Sequence, residues 1–449
     1  MASKSGSKRG AKAKAPSIKK GSSSRRAVVV AGSRTPFVKA FKEFMRMDAI
    51  DLGVAAVQGL LDKSDLASAE IDGIVWGGVI LPAAAPNVAR EIALDLRLPA
   101  SVEGMTVTRA CASGLQAVTL AAAAIERGEA DVLIAGGGDS TSNGEVKLPQ
   151  KWVHTLAPYA FGKPFKPADV MGVLAQLAPF GDLIPRRPEI AERSTGQVMG
   201  EAAEEMATRN GVGRQEQDVF AVRSHHRAAS AIASGRFAGE VNPVLTPEGK
   251  SVTGDTLVRA TTSVEKLAKL RPVFAREGTL SAGNSSPLTD GAAAVLLMSE
   301  EKAKSLGYTP LAAFRSWAYT GVDPADQLLM GPATAMPLAV ERAGMSFKDI
   351  DLVDMHEAFA AQVLSVLRML GSDAFARERL GLSKAFGQID PEHLNIYGGS
   401  VALGHPFAAT GARMVTTMAN ELHQGDRQSA LLGICAAGGL GAAAVMEAV

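Results

Sequence analysis

The chain has 449 residues, of which 47% are hydrophobic and 21% charged, and its formal net charge is +1. This is enough material for one large core or two fused domains, and no apolar run approaches the ~18 residues of a membrane helix. Two cysteines, Cys111 and Cys435, are too few for a disulfide scaffold, and no metal-ligand spacing of Cys and His occurs. We therefore expect a soluble protein with free thiols in the cytoplasm, or in a mitochondrion if the source is eukaryotic.

The charge is distributed unevenly along the chain. Residues 1–26 carry nine lysines or arginines and no acidic residue, which leaves a net charge of −8 on the rest. This Ser-, Gly- and Ala-rich tail cannot bury a core, so we predict a disordered, solubilising extension. It lacks the apolar stretch of a secretory signal, and the C-terminus is not a peroxisomal address. We expect no nucleic-acid partner.

The order of predicted elements indicates an α/β fold. A β-branched run at residues 26–32 predicts a buried strand, and a helix near residues 48–61 and a strand near residues 73–79 follow. Helices and strands alternate from there, which is typical of a sheet buried by helices.

Two segments follow the same plan, which predicts an internal duplication. In the first, a helix opening at Gly114 leads to an apolar strand and Gly136; in the second, a helix opening at Gly411 leads to a strand and Gly433. The spacing between the paired glycines is 22 residues in both copies. We predict two similar halves, each of βαβαβαββ type, layered α-β-α-β-α.

A different stretch separates the predicted halves. Residues 147–270 contain prolines, charge clusters and an amphipathic run at 169–177, so we interpret them as an inserted loop domain. The first half would then comprise residues 27–146 and be completed by 271–305, and the second half would comprise 306–449.

Cys111 is the first candidate for chemistry. It follows a predicted strand at 106–108 and stands at the start of a predicted helix. A helix N-terminus favours a thiolate, and Gly114 allows close backbone approach in the first turn. A nucleophile and a buried, inert thiol remain equally open on this evidence alone.

Three more residues occupy comparable positions. His405 lies between Gly404 and Pro406 ahead of a predicted helix, a better setting for a general base than an exposed loop. Cys435 ends a predicted strand before a glycine-rich turn, where α/β folds build sites. His356 follows a short apolar strand and is predicted to open a helix; its alternative role is a helix cap.

Together these segments resemble the thiolase family. The resemblance covers residues from about 27 to the C-terminus and rests on five motifs in the family's order. These motifs are the nucleophilic Cys111, a Gly-Asn to Asp-Gly-Ala-Ala stretch at 283–293, the His-Glu-Ala-Phe segment at 356–359, the Gly-His-Pro segment at 404–406, and Cys435 before glycines. His356, where many members have Asn, and the long insertion resemble the β subunit of the fatty-acid trifunctional complex and its bacterial counterparts. The resemblance thus implies a thiolase fold and a degradative 3-ketoacyl-CoA thiolase of fatty-acid β-oxidation.

The resemblance also implies roles for the site residues. His405 would take the proton of Cys111, Cys435 would move a proton to and from the substrates, and His356 would hold a water in the first oxyanion hole. The backbone N–H groups of Cys111 and Ala437 would form the second hole. The resemblance makes coenzyme A a substrate and not a tightly bound cofactor, and its contacts would be Arg259 and Ser286.

Alternatives and partners remain open at this point. A biosynthetic acetoacetyl-CoA thiolase or a 3-ketoacyl synthase shares the nucleophile, although a synthase typically has a second histidine where this chain has Cys435. A non-catalytic acyl-CoA-binding subunit should have lost at least one of Cys111, His405 and Cys435, and all three are present. By analogy we expect a homodimer or a dimer of dimers. The apolar residues of the 169–177 run predict contact with a hydratase/dehydrogenase subunit or a membrane surface.

Overall fold

The computed structural model describes residues 25–146, 148–179 and 191–449. Of the basic N-terminal segment, only Arg25 and Arg26 belong to this part, and they pair with Asp131 and Glu447. The predicted disorder of the remaining tail lies outside the described residues.

Twelve strands occur in the described residues: β1 Ala27–Arg34, β2 Val38–Lys39, β3 Gly73–Gly77, β4 Glu103–Val107, β5 Val132–Ser140, β6 Val244–Leu245, β7 Ser251–Val252, β8 Thr289–Ser299, β9 Ala312–Gly321, β10 Leu352–Met355, β11 Ser429–Ala436 and β12 Leu440–Glu447. The helices of the same residues are α1 Ala49–Ser64, α2 Val88–Asp95, α3 Ser113–Glu126, α4 Gln150–Ala160, α5 Asp169–Leu177, α6 Met199–Arg209, α7 Arg214–Ala233, α8 Val264–Ala268, α9 Glu300–Ser305, α10 Pro324–Gln327, α11 Pro332–Arg342, α12 Ala360–Leu370, α13 Asp373–Phe375, α14 Ser400–Leu403 and α15 Ala409–Gln424. Three short non-α helical segments also occur in this part of the chain, at Ser68–Glu70, Phe347–Asp349 and Ala376–Leu380.

The strand order confirms the predicted duplication, with one difference from the predicted βαβαβαββ halves: in the described residues the second half has only an isolated bridge between Val353 and Leu394 where the first half pairs β3 with β4. Strands β1, β8, β5 and β3 are neighbours in that order, and β9, β12, β11 and β10 repeat it. In both series the first two pairings are antiparallel and the third is parallel. The two series join where β1 pairs with β9, so the described residues form one continuous sheet path.

The central layer consists of α3 and α15, the equivalent helices of the two halves. They pack against each other and against strands of both halves. The contact is close because small residues face each other: a Cβ on Gly114 would lie 2.1 Å from the carbonyl oxygen of Ala408, and one on Gly411 would lie 2.4 Å from the nitrogen of Leu115. Glycine is therefore required at both positions, and this contact places the start of α3 beside the start of α15.

The predicted insertion contains helices α4 to α8 and the small β6–β7 pair. Helix α7 packs against α12 and α14, while α4 and α5 pack against each other. A buried ion pair anchors the insertion: the Arg34 guanidinium at the end of β1 donates to both carboxylate oxygens of Asp255 at 2.6 and 2.8 Å. Among the described residues, every helix is too short or too polar to cross a bilayer.

Candidate active site

Cys111 lies in the short connection between β4 and α3. The residue before it, Ala110, has φ +46°, a left-handed conformation that is strained for a side chain with a Cβ. Ser113 holds this turn, since its hydroxyl donates to the carbonyl of Ala110 and accepts the N–H of Arg109 at 2.7 Å. Helix α3 begins at Ser113, so Cys111 stands just before the helix rather than in its first turn.

The ionisation of Cys111 differs from the expectation. Burial raises the pKa of its thiol to about 12; the N–H of Ala437 works in the opposite direction, and the charge of Asp139 raises the pKa further. The helix-start argument for a resting thiolate was therefore wrong, because desolvation outweighs the helix and backbone dipoles. The thiol is neutral at rest and needs a base.

His405 lies beside this thiol, just ahead of α15. Its backbone N–H donates to the Thr289 hydroxyl at 3.0 Å, and its Nδ1 is hydrogen-bonded to Oγ1 of Thr410 at 2.6 Å. Burial, followed by the charge of Arg413, lowers the pKa of His405 to about 3. The imidazole is therefore neutral and able to accept a proton. Phe407, two residues on, has φ +30° and turns the chain sharply into the helix.

His356 follows β10 directly and is fully buried. The prediction that it opens a helix was wrong: α12 begins at Ala360, with Phe359 as its N-cap. Its Nδ1 is hydrogen-bonded to the Ser400 hydroxyl at 2.9 Å. Burial, with the charges of His405 and Arg413, holds the pKa of His356 well below its usual range, so this ring is also neutral.

The structure brings these three side chains together. The rings of His356 and His405 have centroids 4.0 Å apart, and one ring nitrogen of each lies with the Cys111 sulfur in a cluster spanning at most 4.8 Å. Both Nδ1 atoms are hydrogen-bonded, whereas both Nε2 atoms are buried with no hydrogen-bond partner among the described residues. Buried polar atoms without partners are uncommon in proteins and are typical of a site that binds a ligand or water.

Cys435 and Ala437 complete the cluster from the second half. Cys435 is buried at the end of β11, and burial, followed by the charge of Cys111, raises the pKa of its thiol. The N–H of Ala437 is directed at the Cys111 thiol. The next two residues, Gly438 and Gly439, have φ +82° and +67°, which glycine adopts without strain.

Asp139 is a neighbour of the site that the sequence did not reveal. Its carboxylate, fully buried at the end of β5, accepts the N–H groups of Val79 and Ile80 at 2.8 and 2.6 Å and that of Ala408 at 2.9 Å. It therefore ties the segment after His405 to the turn that follows β3. Burial raises the pKa of Asp139 to about 7 against the effect of these donors.

Glu357 supports the site from the opposite side. This buried carboxylate accepts hydrogen bonds from Ser224 at 2.6 Å, Asn395 at 2.7 Å and the N–H of Val401 at 3.1 Å. Burial raises its pKa, which the three donors oppose. It links α7, β10 and α14, and so fixes the strand end that carries His356 relative to the helix that carries Ser400.

The two predicted coenzyme A contacts lie at the rim. Ser286 is partly exposed and its N–H donates to the carbonyl of Ala358, while the nearby Leu288 bridges to His405. Arg259 is exposed, and its backbone N–H donates to Nδ1 of His225 at 3.2 Å. It follows Leu257 by two residues, and Leu257 covers Gly404.

Family models and similar proteins both assign this chain to one family. The thiolase N-terminal domain matches residues 27–301, and the thiolase C-terminal domain matches residues 308–448. Proteins named 3-ketoacyl-CoA thiolase from Shewanella halifaxensis and Yersinia enterocolitica are 44% and 45% identical over 424 residues, which is 94% of this chain and 97% of theirs.

Solved structures agree with this result. The acetyl-CoA acetyltransferase of Bacillus anthracis superposes with a TM-score of 0.80 at 31% identity, covering 95% of this chain and 99% of that one. Human mitochondrial 3-ketoacyl-CoA thiolase in complex with CoA gives a TM-score of 0.80 at 28% identity, covering 95% and 98%. The matched domains, the relatives and the duplicated fold around the Cys111 cluster establish that this chain belongs to the thiolase family, whose members are acyltransferases.

Proposed function

We propose that the protein is a 3-ketoacyl-CoA thiolase, which cleaves a 3-ketoacyl-CoA with free coenzyme A to give acetyl-CoA and an acyl-CoA shortened by two carbons. The observation that carries this proposal is the cluster of Cys111, His405 and His356, whose Nε2 atoms are buried and unpartnered in the described structure. A neutral thiol beside a neutral imidazole is the pair that nucleophilic catalysis by cysteine requires.

In the first half-reaction, His405 accepts the proton of Cys111 as the sulfur attacks the 3-keto carbon. The hydrogen bond with Thr410 supports this assignment, because it occupies Nδ1 and leaves Nε2 as the acceptor. The developing oxyanion is stabilised by the now protonated His405 and by a water held by His356. Collapse breaks the C2–C3 bond, leaves the acyl group on Cys111, and releases the acetyl-CoA enolate, which Cys435 protonates at C2.

In the second half-reaction, coenzyme A replaces acetyl-CoA. Cys435, now a thiolate, accepts the proton of the coenzyme A thiol, and the sulfur attacks the acyl-Cys111 carbonyl. The tetrahedral oxyanion accepts the N–H groups of Cys111 and Ala437; the direction of the Ala437 N–H toward the Cys111 sulfur supports this. Collapse expels the Cys111 thiolate, which recovers its proton from His405. Each oxyanion donor typically contributes a factor of ~10²–10³.

We propose Arg259 and Ser286 as coenzyme A contacts. Arg259 offers an exposed cation near the segment that covers Gly404, and it can pair with an anionic phosphate in a part of the chain, residues 27–449, whose net charge is −8. Ser286 lies on the segment that bridges to Phe359 through Ser285 and to His405 through Leu288, so its partly exposed hydroxyl is near the cluster.

The metabolic role that fits best is fatty-acid β-oxidation in the cytoplasm. The names and bacterial origin of the similar proteins support it. A biosynthetic acetoacetyl-CoA thiolase is the second candidate, and thiolysis kinetics across 3-ketoacyl chain lengths separate the two. Activity that rises with chain length supports the proposal; activity on acetoacetyl-CoA alone contradicts the degradative role, and a requirement for a malonyl donor contradicts thiolysis itself.

We further propose a homodimer formed through the edge strand β4. In the described residues β4 pairs only with β3, and its Met105 is 45% exposed, so backbone donors and an apolar side chain are both free to pair with a second copy. Light scattering of the purified protein tests the state, and Met105→Lys should shift it toward the monomer.

The helices α4 and α5 form a hairpin with an apolar surface, which we propose as the docking site for a hydratase/dehydrogenase subunit. Several of its large apolar side chains are exposed: Val153, Phe161, Phe165, Val170, Met171 and Leu174. Phe161 is 90% exposed and Met171 74%, and a group of exposed apolar side chains is typical of an interaction surface. A subunit that makes 3-ketoacyl-CoA is the partner whose product this enzyme consumes, and membrane binding is the competing outcome of the test.

A further inference from the structure

The cluster of Cys111, His356 and His405 has the composition of a zinc site. We propose that these three side chains bind one Zn²⁺ ion with the Cys111 thiolate and the two histidine nitrogens, and that bound zinc holds the enzyme in a reversibly inhibited state. The binding stands on the cluster itself, whereas the inhibition rests on the proposed function, in which the same three groups act on the substrate.

The separations between the donor atoms suit a metal ion. The sulfur and one ring nitrogen of each histidine lie within 4.8 Å of one another. In a tetrahedral zinc site, with bonds of about 2.0–2.3 Å, the ligand atoms lie about 3.3–3.6 Å apart. The longest separation in the cluster would therefore have to shorten by about 1.5 Å at most, which rotation about the side-chain χ angles can supply.

One nitrogen of each imidazole ring is available for a ligand. Both histidines are more than nine-tenths buried, and both Nε2 atoms lack a hydrogen-bond partner in the part of the chain that the structure describes. The Nδ1 atoms are held by Ser400 and Thr410 at 2.9 and 2.6 Å. This is the arrangement of metal-ligating histidines, in which a second partner fixes the ring and leaves the other nitrogen for the metal.

The chemistry of the donor set favours zinc over the abundant hard cations. One thiolate and two imidazoles are soft and borderline ligands, whereas magnesium and calcium prefer oxygen. On binding, the Cys111 S–H proton passes to solvent and a zinc–sulfur bond forms, with no change of oxidation state. Three protein ligands leave a fourth position for water or for the thiolate of coenzyme A.

Neighbouring charges are compatible with an added cation. Zinc with one thiolate carries a charge of +1, and the carboxylate of Asp139 acts electrostatically on Cys111. Arg413 also acts on both histidines, but its guanidinium is paired with the buried Asp354 at 3.0 Å. The site therefore has a compensating anion nearby and its main cation is already neutralised.

Cobalt(II) provides a spectroscopic test that does not depend on turnover. The metal-free enzyme is titrated with Co²⁺ and then with Zn²⁺ against a chromophoric chelator, for the wild type, His356→Asn and Cys111→Ala. His423→Asn, at the exposed end of α15, is the matched control. We expect one metal per chain, a sulfur-to-cobalt charge-transfer band with tetrahedral visible bands, and zinc affinity lower by ~10–100-fold or more in His356→Asn.

The outcomes separate the site from the reaction. Loss of the charge-transfer band in Cys111→Ala and an unchanged His423→Asn support the proposal. Absence of saturable binding in the wild type, or equal affinity in His356→Asn, overturns the site. If the enzyme binds zinc and its thiolysis rate is unchanged, the site stands and the proposed inhibition is overturned. If the metal-free enzyme never cleaves a 3-ketoacyl-CoA, the proposed function is overturned, and the cobalt spectrum still decides whether the metal site exists.

Discussion

The cluster of Cys111, His356 and His405 and the α4–α5 hairpin both contain, in the described structure, groups without a partner, but of opposite kinds. In the cluster, the unpartnered groups are polar and buried: the Nε2 atoms of His356 and His405. In the hairpin they are apolar and exposed, with Phe161 and Met171 facing solvent. Each departure costs folding free energy where it stands, which is why we propose a ligand for the cluster and a partner for the hairpin.

The two regions also differ in how firmly they are supported. Asp139, Glu357, Thr410 and Ser400 hold the catalytic segments through hydrogen bonds from other elements. The hairpin helices mainly contact each other. A site that breaks and forms covalent bonds needs fixed distances between its reacting side chains, whereas a docking surface needs mainly an exposed area. Changes at the cluster should therefore affect rate, and changes at the hairpin should affect association.

The largest effect is expected for Cys111→Ser. The hydroxyl is a far weaker nucleophile than a thiolate, so kcat/KM for thiolysis should fall by ~10⁴-fold or more. Coenzyme A binding, measured by calorimetry, should remain within a few-fold of wild type because Arg259 and Ser286 are untouched. Residual activity within tenfold of wild type would contradict the assignment of the nucleophile.

Cys435→Ala should separate the two half-reactions. Without the proton carrier, steady-state turnover should fall by ~10²–10⁴-fold. Cys111 should still become acylated, slowly, in a single turnover followed by rapid quench. If steady-state and single-turnover rates both stay near wild type, Cys435 is only a buried structural thiol.

His405→Asn should lower kcat/KM by ~10²–10⁴-fold, because the neutral thiol of Cys111 loses its base. The variant should recover activity as pH rises toward the thiol pKa of about 12, as far as the protein stays folded. Wild type should show no histidine inflection near pH 6.5, because the pKa of His405 is lowered to about 3. An inflection near 6.5 that disappears in the variant would show that the imidazole is solvated.

Asp139→Asn should have a smaller effect of roughly 10- to 100-fold on kcat/KM, the cost of losing one hydrogen bond to a charged acceptor. The amide cannot accept at both of its heavy atoms, so either Ala408 or the pair Val79 and Ile80 loses its acceptor. The folded carboxyl has a pKa of about 7, so it is ionised above that pH and protonated below it. Wild-type activity should decline as pH falls through 7, and this inflection should be absent in Asp139→Asn; an inflection that persists in the variant belongs to another group and would contradict the assignment.

The smallest effect on activity is expected for the hairpin variant with Val170 and Leu174 both changed to Asp. Thiolysis of soluble substrate should stay within twofold of wild type, since these side chains are exposed on a hairpin whose two helices pack mainly against each other. Co-sedimentation with the hydratase/dehydrogenase subunit should be lost.

The control for the hairpin carries the same charges on apolar residues elsewhere that are more exposed than Val170 and Leu174, as Val219→Asp and Leu245→Asp. Loss of liposome binding in place of subunit binding would show that the surface meets a membrane. Loss of activity or folding with no separable binding defect would show that the hairpin belongs to the core.

The sequence predicted most of the fold because its signals are local. Apolar runs that alternate with helices opened by glycine predicted the duplication. The four site segments were recognisable because each follows a strand or precedes a helix. It did not reveal Asp139, Glu357, Ser400 or Thr410 as supports, since their partners are backbone groups or side chains brought near only by folding. The pKa of the Cys111 thiol was misjudged for the same reason. Burial arises only in the assembled site, and its effect on the pKa is larger than that of the nearby helix N-terminus.

The most direct test of the central claim is mass spectrometry of the enzyme quenched within its first turnover on a 3-ketoacyl-CoA in the absence of free coenzyme A. We predict an acyl group, shortened by two carbons, on the peptide that contains Cys111, and no adduct in Cys111→Ser. Added coenzyme A should remove the adduct as acyl-CoA. An adduct on Cys435, or turnover with no adduct on either cysteine, would contradict the account.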